Sequence, residues 1–206
     1  MDITDISSLL NSYREWILQW HADDTIKSGE SDVLFQLVLE LHECNFLLWH
    51  QEDIARRKDI GAAEIARVKR NVDKLNQRRN DSIERIDEWL CNNKYAHLLA
   101  QDLPLRTETL GSVFDRLSIL TLKIFHMEEQ TGRIDVDQSH ITACRQKLDI
   151  LLQQRADLQK ALLEMVTDLD NGKIRLKVYR QFKMYNDPTL NPEVYGSGTV
   201  PSRDNS

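Results

Sequence analysis

Apolar residues recur at three- and four-residue intervals over long stretches of this chain, and this spacing restricts its fold more than any other feature. Only seven glycines and four prolines occur among 206 residues, and most of them stand at the ends of the periodic segments. With so few residues that break helices, the chain favours long amphipathic helices. Its length supports one core, or at most one core with an appendage.

The spacing predicts five helices. The links after the second and the fourth are short, which predicts two antiparallel helical hairpins. We therefore expect an all-α fold: an up-and-down antiparallel four-helix bundle, with an additional N-terminal helix packed across it. The predicted helices span about residues 5–22, 32–58, 62–93, 110–130 and 138–170.

The C-terminal part of the chain has a different pattern. Residues 173–195 show no helical stripe and are expected to form an irregular strap on the bundle. Residues 1–195 are thus predicted to be a single domain. The small and polar residues of 196–206 predict a disordered tail.

Composition limits the classes of function. The formal net charge of −6 argues against nucleic acid as a partner. The apolar runs are too short to span a bilayer, so we expect no membrane insertion. Three cysteines, Cys44, Cys91 and Cys144, lie far apart without metal-ligand spacing, which indicates reduced thiols in a cytoplasmic protein.

Several polar residues fall on the apolar stripes. On helical wheels, Asn45, Arg79 and Arg155 point in the core direction of the second, third and fifth helices. The register of the fourth and fifth helices places Asp115 level with Arg155. A buried charge has to be paired, because an isolated buried ion is very costly. The wheels therefore predict a polar layer that several helices share.

Two interpretations of this layer stay open at this stage. Its members satisfy one another and determine helix register, or the arginines form a pocket for an anionic ligand, which a guanidinium suits. In the second interpretation the strap closes over the layer and also supplies ligand contacts. The predicted ligand-binding residues are Asn45, Glu52, Asn76, Arg79, Asp115, Arg155, Arg180 and Lys183, with Asn186 as a further candidate from the strap.

Four long motifs carry a resemblance to a known family. They are LWHQEDIARR (48–57), VKRNVDKLNQRRNDSIERID (68–87), TETLGSVFDRLSILTLKIFHMEE (107–129) and KVYRQFKMYNDPTLNP (177–192). Through them the chain resembles an uncharacterised bacterial family of about 200 residues, known only as a domain of unknown function. The resemblance implies a bacterial cytosolic protein, often encoded near glycosyltransferases of cell-envelope polysaccharide synthesis. It assigns no residue a role.

Motifs for metal chemistry are weak. The chain has no Glu-x-x-His, the motif that di-iron bundles pair, and we predict no metal site. Two acidic motifs, Glu40-x-x-Glu43 and Glu84-x-x-Asp87, resemble those of all-α nucleotide pyrophosphatases, which gather Mg²⁺. Their separation is longer than in those enzymes, and Glu40 and Glu43 point away from the core. No cofactor is identified.

The catalytic candidates are Asp115, Ser118 and His126, which share one face of the fourth helix. They leave open whether the protein is an enzyme. The favoured interpretation is a non-catalytic binding or accessory protein with a polar core site for an anionic small molecule, linked to cell-envelope polysaccharide synthesis. The alternative is a metal-dependent hydrolase or transferase acting on a nucleotide or a phosphorylated sugar. The long third and fifth helices leave room for pairing with a second copy.

Overall fold

Five long helices make up most of the described part of the chain, which in the computed structural model comprises residues 6–22, 32–182, 184 and 187–196. In chain order the helices are α1 (Ile6–His21), α2 (Val33–Ala55), α3 (Ala62–Trp89), α4 (Leu110–Thr131), α5 (Gln138–Asp170) and the four-residue α6 (Pro192–Tyr195). A π-helical turn and a 3₁₀ turn follow α3. No strand occurs in the described ranges, so the predicted all-α bundle is confirmed.

Local capping explains where the helices begin and end. Asp32 accepts a hydrogen bond from the Leu34 N–H, 3.1 Å away, at the start of α2. Thr109 and Ser112 form a reciprocal capping box at the start of α4. Beyond α5, Gly172 has a φ of 63°, a left-handed conformation that costs glycine little.

The helix bounds agree with the prediction except at two C-terminal ends. Helix α3 ends at Trp89 rather than near Asn93, and the π-helical turn Leu90–Lys94 follows it; the other exception is α2. Helix α2 ends at Ala55 rather than near Lys58. The Arg56 and Arg57 N–H groups donate to carbonyl oxygens only three residues earlier in the chain, rather than four. This tighter turn leads into the short link to α3. Residues 1–5, the link 23–31 and residues 197–206 of the predicted tail lie outside the described residues.

Helix α4 lies at the centre of the fold and packs against α1, α2, α3 and α5. Its sequence accounts for this position, because a helix that is apolar on nearly all sides is stable only when nearly all sides are covered. The residues that it buries are Leu110, Gly111, Val113, Phe114, Asp115, Leu117, Ser118, Leu120, Thr121, Leu122, Ile124 and Phe125.

Helix α5 packs mainly on α4, and its two halves differ in burial. Leu158, Leu162 and Val166 of the C-terminal half belong to the main core. In the middle of the helix, Ile150 is 58 % exposed and Leu152 is 36 % exposed. Pairing of this face with a second copy stays a prediction.

Helices α3 and α4 approach each other closely at Gly111. A Cβ added there would lie 2.6 Å from the Ile83 carbonyl oxygen and 2.9 Å from Asp87 Oδ1. The Gly111 N–H donates a 2.8 Å hydrogen bond to that same carboxylate. The missing side chain therefore allows Asp87, which is buried, to satisfy an otherwise unpaired N–H at the start of α4.

The C-terminal strap packs along the loop that precedes α4. The Arg175 N–H donates to the Pro104 carbonyl at 3.1 Å, and the Arg175 carbonyl accepts from the Arg106 N–H at 3.3 Å. Ile174 and Leu176 are buried in the main core. The strap is thus irregular, as predicted, and anchored by alternate apolar side chains.

Two features bear on the expected environment of the protein. Cys44, Cys91 and Cys144 are free and buried. Burial raises the pKa of the Cys44 and Cys91 thiols to about 11, so both are protonated at neutral pH. In the described ranges, every helix is too short or too polar to cross a membrane.

Replacing Gly111 by alanine tests the close contact between α3 and α4. The added methyl group would have to displace backbone, so we expect Gly111→Ala to lower the free energy of unfolding by about 2–3 kcal/mol in urea denaturation. Gly132→Ala is the matched control, since the nearest atom to its Cβ is 3.6 Å away. Equal losses in the two variants would contradict the contact.

The pH dependence of stability tests the buried Asp87 carboxyl. Burial raises its pKa to about 6, so between about pH 4 and pH 6 the folded chain holds a proton that the unfolded chain has lost. The contribution of Asp87 to the free energy of unfolding is therefore fully present below about pH 4 and is lost as the pH rises through about 6. Asp87→Asn cannot lose this proton. Its free energy of unfolding, relative to that of the wild type, should therefore rise by about 2–3 kcal/mol between pH 4 and pH 7. Urea unfolding at a series of pH values measures this difference. If the free energies of unfolding of the wild type and the variant change in parallel with pH, the prediction is refuted.

Candidate functional site

A buried ion pair occupies the centre of the bundle. Arg79 of α3 donates from Nε to Asp115 Oδ1 of α4 at 2.7 Å, and from Nη2 to Oδ2. The Asp115 side chain is 6 % exposed and that of Arg79 is 27 % exposed. This bidentate arrangement is the strongest form of a guanidinium–carboxylate pair.

The ion pair belongs to a longer hydrogen-bond chain. Asn45 of α2 donates to both Asp115 Oδ1 and Ser118 Oγ, each at 2.9 Å. Ser118 Oγ lies 2.6 Å from His42 Nδ1, and His42 Nε2 lies 3.0 Å from the Tyr13 carbonyl oxygen. A carbonyl oxygen only accepts, so His42 carries its proton on Nε2 and accepts from Ser118 at Nδ1. The chain connects α1, α2, α3 and α4; we name it the polar network.

The polar network is closed to solvent at its inner end. Burial lowers the pKa of His42 to about 3, so the imidazole is neutral at physiological pH. Both ring nitrogens of His42 and the Ser118 hydroxyl are already hydrogen-bonded, and both side chains are completely buried. The His42–Ser118 pair therefore stabilises the fold and has no access to a substrate.

The polar network contains part of the predicted layer. Asn45, Arg79 and Asp115 meet as the wheels indicated. Arg155 does not join them: it is half-buried on α5 and has no hydrogen bond or ion pair with the described residues. Arg155 is not a partner of Asp115, because the carboxylate is paired with Asn45 of α2 and Arg79 of α3.

The predicted catalytic residues do not converge. Ser118 is bonded to His42, whereas His126 bonds through Nδ1 to Glu129 Oε2 at 2.7 Å. Ser118 and His126 are eight positions apart, which corresponds to about 12 Å along a helix, so a shared face does not bring the two side chains together.

The described residues of the strap form no hydrogen bond or ion pair with the polar network. Arg180 pairs instead with Glu84 Oε2 at 3.0 Å, and with Glu88, on the outer face of α3. Lys183 and Asn186, the other residues expected from the strap, lie outside the described residues.

A cleft of about 310 Å³ opens onto the outer end of the polar network. Four predicted ligand residues line it, namely Asn45, Glu52, Asn76 and Arg79. Its other lining residues are Leu48, Trp49, Asp53, Arg56, Ile119 and Leu122. We name it the Arg79 cleft.

Three histidines from three helices form a second cluster. His21 of α1, His50 of α2 and His126 of α4 each place one ring nitrogen within 4.8 Å of a ring nitrogen of the other two. Burial and the neighbouring His21 and His126 lower the pKa of His50, which favours its neutral imidazole. Neutral imidazoles are ligands for transition metals, so this cluster is the set of described residues best suited to hold a metal.

The histidine cluster has no sequence signature. His21, His50 and His126 are separated by long intervals, and the sequence singled out only His126, as a catalytic candidate. A short-range pattern such as His-x-x-x-His would have revealed a site on one helix. The histidine cluster could be recognised only after the contacts between α1, α2 and α4 were known.

The comparisons with known proteins give a family without an assigned activity. A family model described as "Protein of unknown function (DUF4254)" matches residues 35–178. No curated protein and no solved structure matches the chain. The matched segment includes α3, α4, α5 and most of α2, and His21 of α1 lies outside it.

Mutation of two adjacent arginines tests the central ion pair. Arg79→Ala leaves the buried Asp115 carboxylate with fewer partners, and we expect it to lower the free energy of unfolding by about 3 kcal/mol. Arg78→Ala is the matched control, because its pair with Glu43 is about half exposed and worth less than about 1 kcal/mol. Urea unfolding of both variants measures the difference, and similar losses would contradict a buried pair.

Proposed function

The chain belongs to the family of proteins of unknown function DUF4254, and from this premise we propose that it is a non-catalytic binding or accessory protein for an anionic small molecule. The ligand site is the Arg79 cleft. The observation that carries the proposal is the position of Arg79: its guanidinium is held rigidly by Asp115, and its remaining exposed part borders this cleft.

Unused hydrogen-bond donors support an anionic ligand. A guanidinium has five N–H donors, and Arg79 uses two of them on Asp115. The Asn76 amide beside it has no hydrogen-bond partner among the described residues. Arg56 is exposed and pairs with Glu52, a contact that costs little to exchange. These three side chains offer convergent donors to a phosphate or carboxylate.

The rest of the cleft favours a ligand with a polar ring. Glu52 and Asp53 supply acceptors for hydroxyl groups, and Trp49 supplies an aromatic surface. The two carboxylates also disfavour a ligand that is anionic over its whole surface. The volume is near the lower end of the range for small-molecule sites. A phosphorylated sugar combines these properties, and such a ligand agrees with the proposed link to cell-envelope polysaccharide synthesis.

The alternative, a metal-dependent hydrolase or transferase acting on a nucleotide or phosphorylated sugar, is favoured by a different cleft. This cleft of about 560 Å³ lies between α2, α4 and α5 and has His126 in its wall. Lys123 and Lys147 also line it, and no carboxylate of the described residues pairs with either of them. Two free ammonium groups beside a histidine cluster would suit a phosphorylated substrate.

Ligand binding tests the proposal directly. Glucose 1-phosphate, uridine monophosphate and inorganic phosphate are titrated into the untagged full-length protein, and thermal unfolding and calorimetry are measured. We expect the sugar phosphate to stabilise the fold, by about 2.7 kcal/mol at one hundred times its Kd. Asn76→Ala should weaken binding about tenfold or more, since a hydrogen bond to a charged group is lost.

A matched variant and an activity assay separate the two functions. Asn80→Ala removes a half-buried amide from the same helix but outside the cleft, so its affinity should equal that of the wild type. No stabilisation by any probe, or equal affinities in the two asparagine variants, would refute the Arg79 cleft as the site. Metal-dependent release of phosphate from a probe would instead support the alternative.

A further inference from the structure

The histidine cluster has the properties of a metal site, although no spacing in the sequence indicates one. We propose that His21, His50 and His126 together bind one divalent transition-metal ion of the zinc type, each through its Nε2 atom. Three helices that are distant in sequence supply the three imidazoles. The proposal does not depend on the anion site of the Arg79 cleft, which uses none of these histidines.

Hydrogen bonds orient two of the imidazoles for metal binding. His21 Nδ1 lies 2.8 Å from the Ile17 carbonyl oxygen, and His126 Nδ1 lies 2.7 Å from Glu129 Oε2. Both oxygens accept hydrogen bonds, so each Nδ1 carries the proton and each Nε2 keeps its lone pair. Metal-binding histidines are typically held in this way by a carbonyl or a carboxylate.

Two ring nitrogens of the cluster lack a partner. The Nε2 atoms of His50 and His126 are buried and have no hydrogen bond within the described residues. Buried polar atoms without a partner are rare because they lose their hydration without compensation. A metal ion bound between the three rings would satisfy both atoms.

The fully buried His42 provides a contrast. His42 is as deeply buried as any residue of the chain, yet both of its ring nitrogens are bonded, to Ser118 and to Tyr13. Burial of a histidine in this bundle therefore does not by itself leave a nitrogen unpaired. Unpaired nitrogens occur where three histidines face one another.

Aromatic side chains surround the cluster and hold its rings. His126 stacks on Trp49 with 4.7 Å between ring centroids, and His21 stacks on Phe125 at 5.1 Å. Phe46 contacts both His21 and His50 edge to face. These contacts restrict the rotamers of the ligands, which lowers the entropy lost when they converge on an ion.

The spacing of the nitrogens suits closure on an ion. Zn–N distances of about 2.0–2.1 Å place the ligands of a tetrahedral ion about 3.4 Å apart, so nitrogens that lie within 4.8 Å of one another would have to approach by at most about 1.4 Å. His21 is exposed in the last turn of α1 and can supply this movement. Three imidazoles select Zn²⁺, Co²⁺, Ni²⁺ or Cu²⁺ over Mg²⁺ or Ca²⁺, and leave a fourth position open.

Metal titration of the untagged, chelator-treated full-length protein tests the site. We expect Zn²⁺ to bind with one ion per chain and a Kd in the micromolar range or below in calorimetry, and Co²⁺ to give the visible absorption bands of a tetrahedral nitrogen site. His21→Ala should weaken Zn²⁺ binding by about 100-fold or more. Glu129→Gln, which weakens the orientation of His126, should reduce the affinity by about 10- to 100-fold.

The control is His97→Ala, which removes an exposed histidine from outside the cluster and should bind Zn²⁺ as the wild type does. His21 is exposed, so its variant should keep the fold, which the thermal unfolding of the metal-free protein checks. Absence of stoichiometric binding, or equal affinities in the His21 and His97 variants, would overturn the proposal. Its failure would leave phosphate binding at the Arg79 cleft unaffected, because Asn76→Ala tests that site separately.

Discussion

The buried carboxylate of Asp115 is the constraint on which the arrangement of the bundle depends. A charge at this depth is tolerated only if donors surround it, and two other helices supply them through Arg79 and Asn45. Through Ser118 and His42 the same network reaches the backbone of α1. A shift of any of these four helices along its axis would leave a buried polar group unpaired, so the network determines their register.

The central position of α4 explains why three features of the molecule lie along this helix. At its first turn Gly111 allows α3 to approach, at its middle Asp115 carries the polar network, and near its end His126 joins the histidine cluster. The distance from Gly111 to His126 is about 22 Å along the helix axis. The proposed anion and metal sites are therefore distinct, and Trp49 is the residue that borders both.

Helix bounds and the buried polar residues could be predicted because the signals are local. Capping residues act within three positions, as at Thr109, and the wheel of one helix is enough to show that Arg79 points inward. The position of Arg155 could not be predicted in the same way. Whether Arg155 faces Asp115 depends on the rotation of α5 about its own axis. Packing against α4 decides this rotation, and a helical wheel does not show it.

The sequence by itself determined the helical class, the two hairpins and the presence of charged residues in the core, because periodicity and capping act over a few residues. Tertiary structure alone decided which distant groups come together: Arg79 with Asp115, and His21 and His50 with His126. The physical reason is that hydrogen bonds and metal ligation require contact within about 3–4 Å. Residues separated by many positions in the chain reach such distances only when the helices have packed.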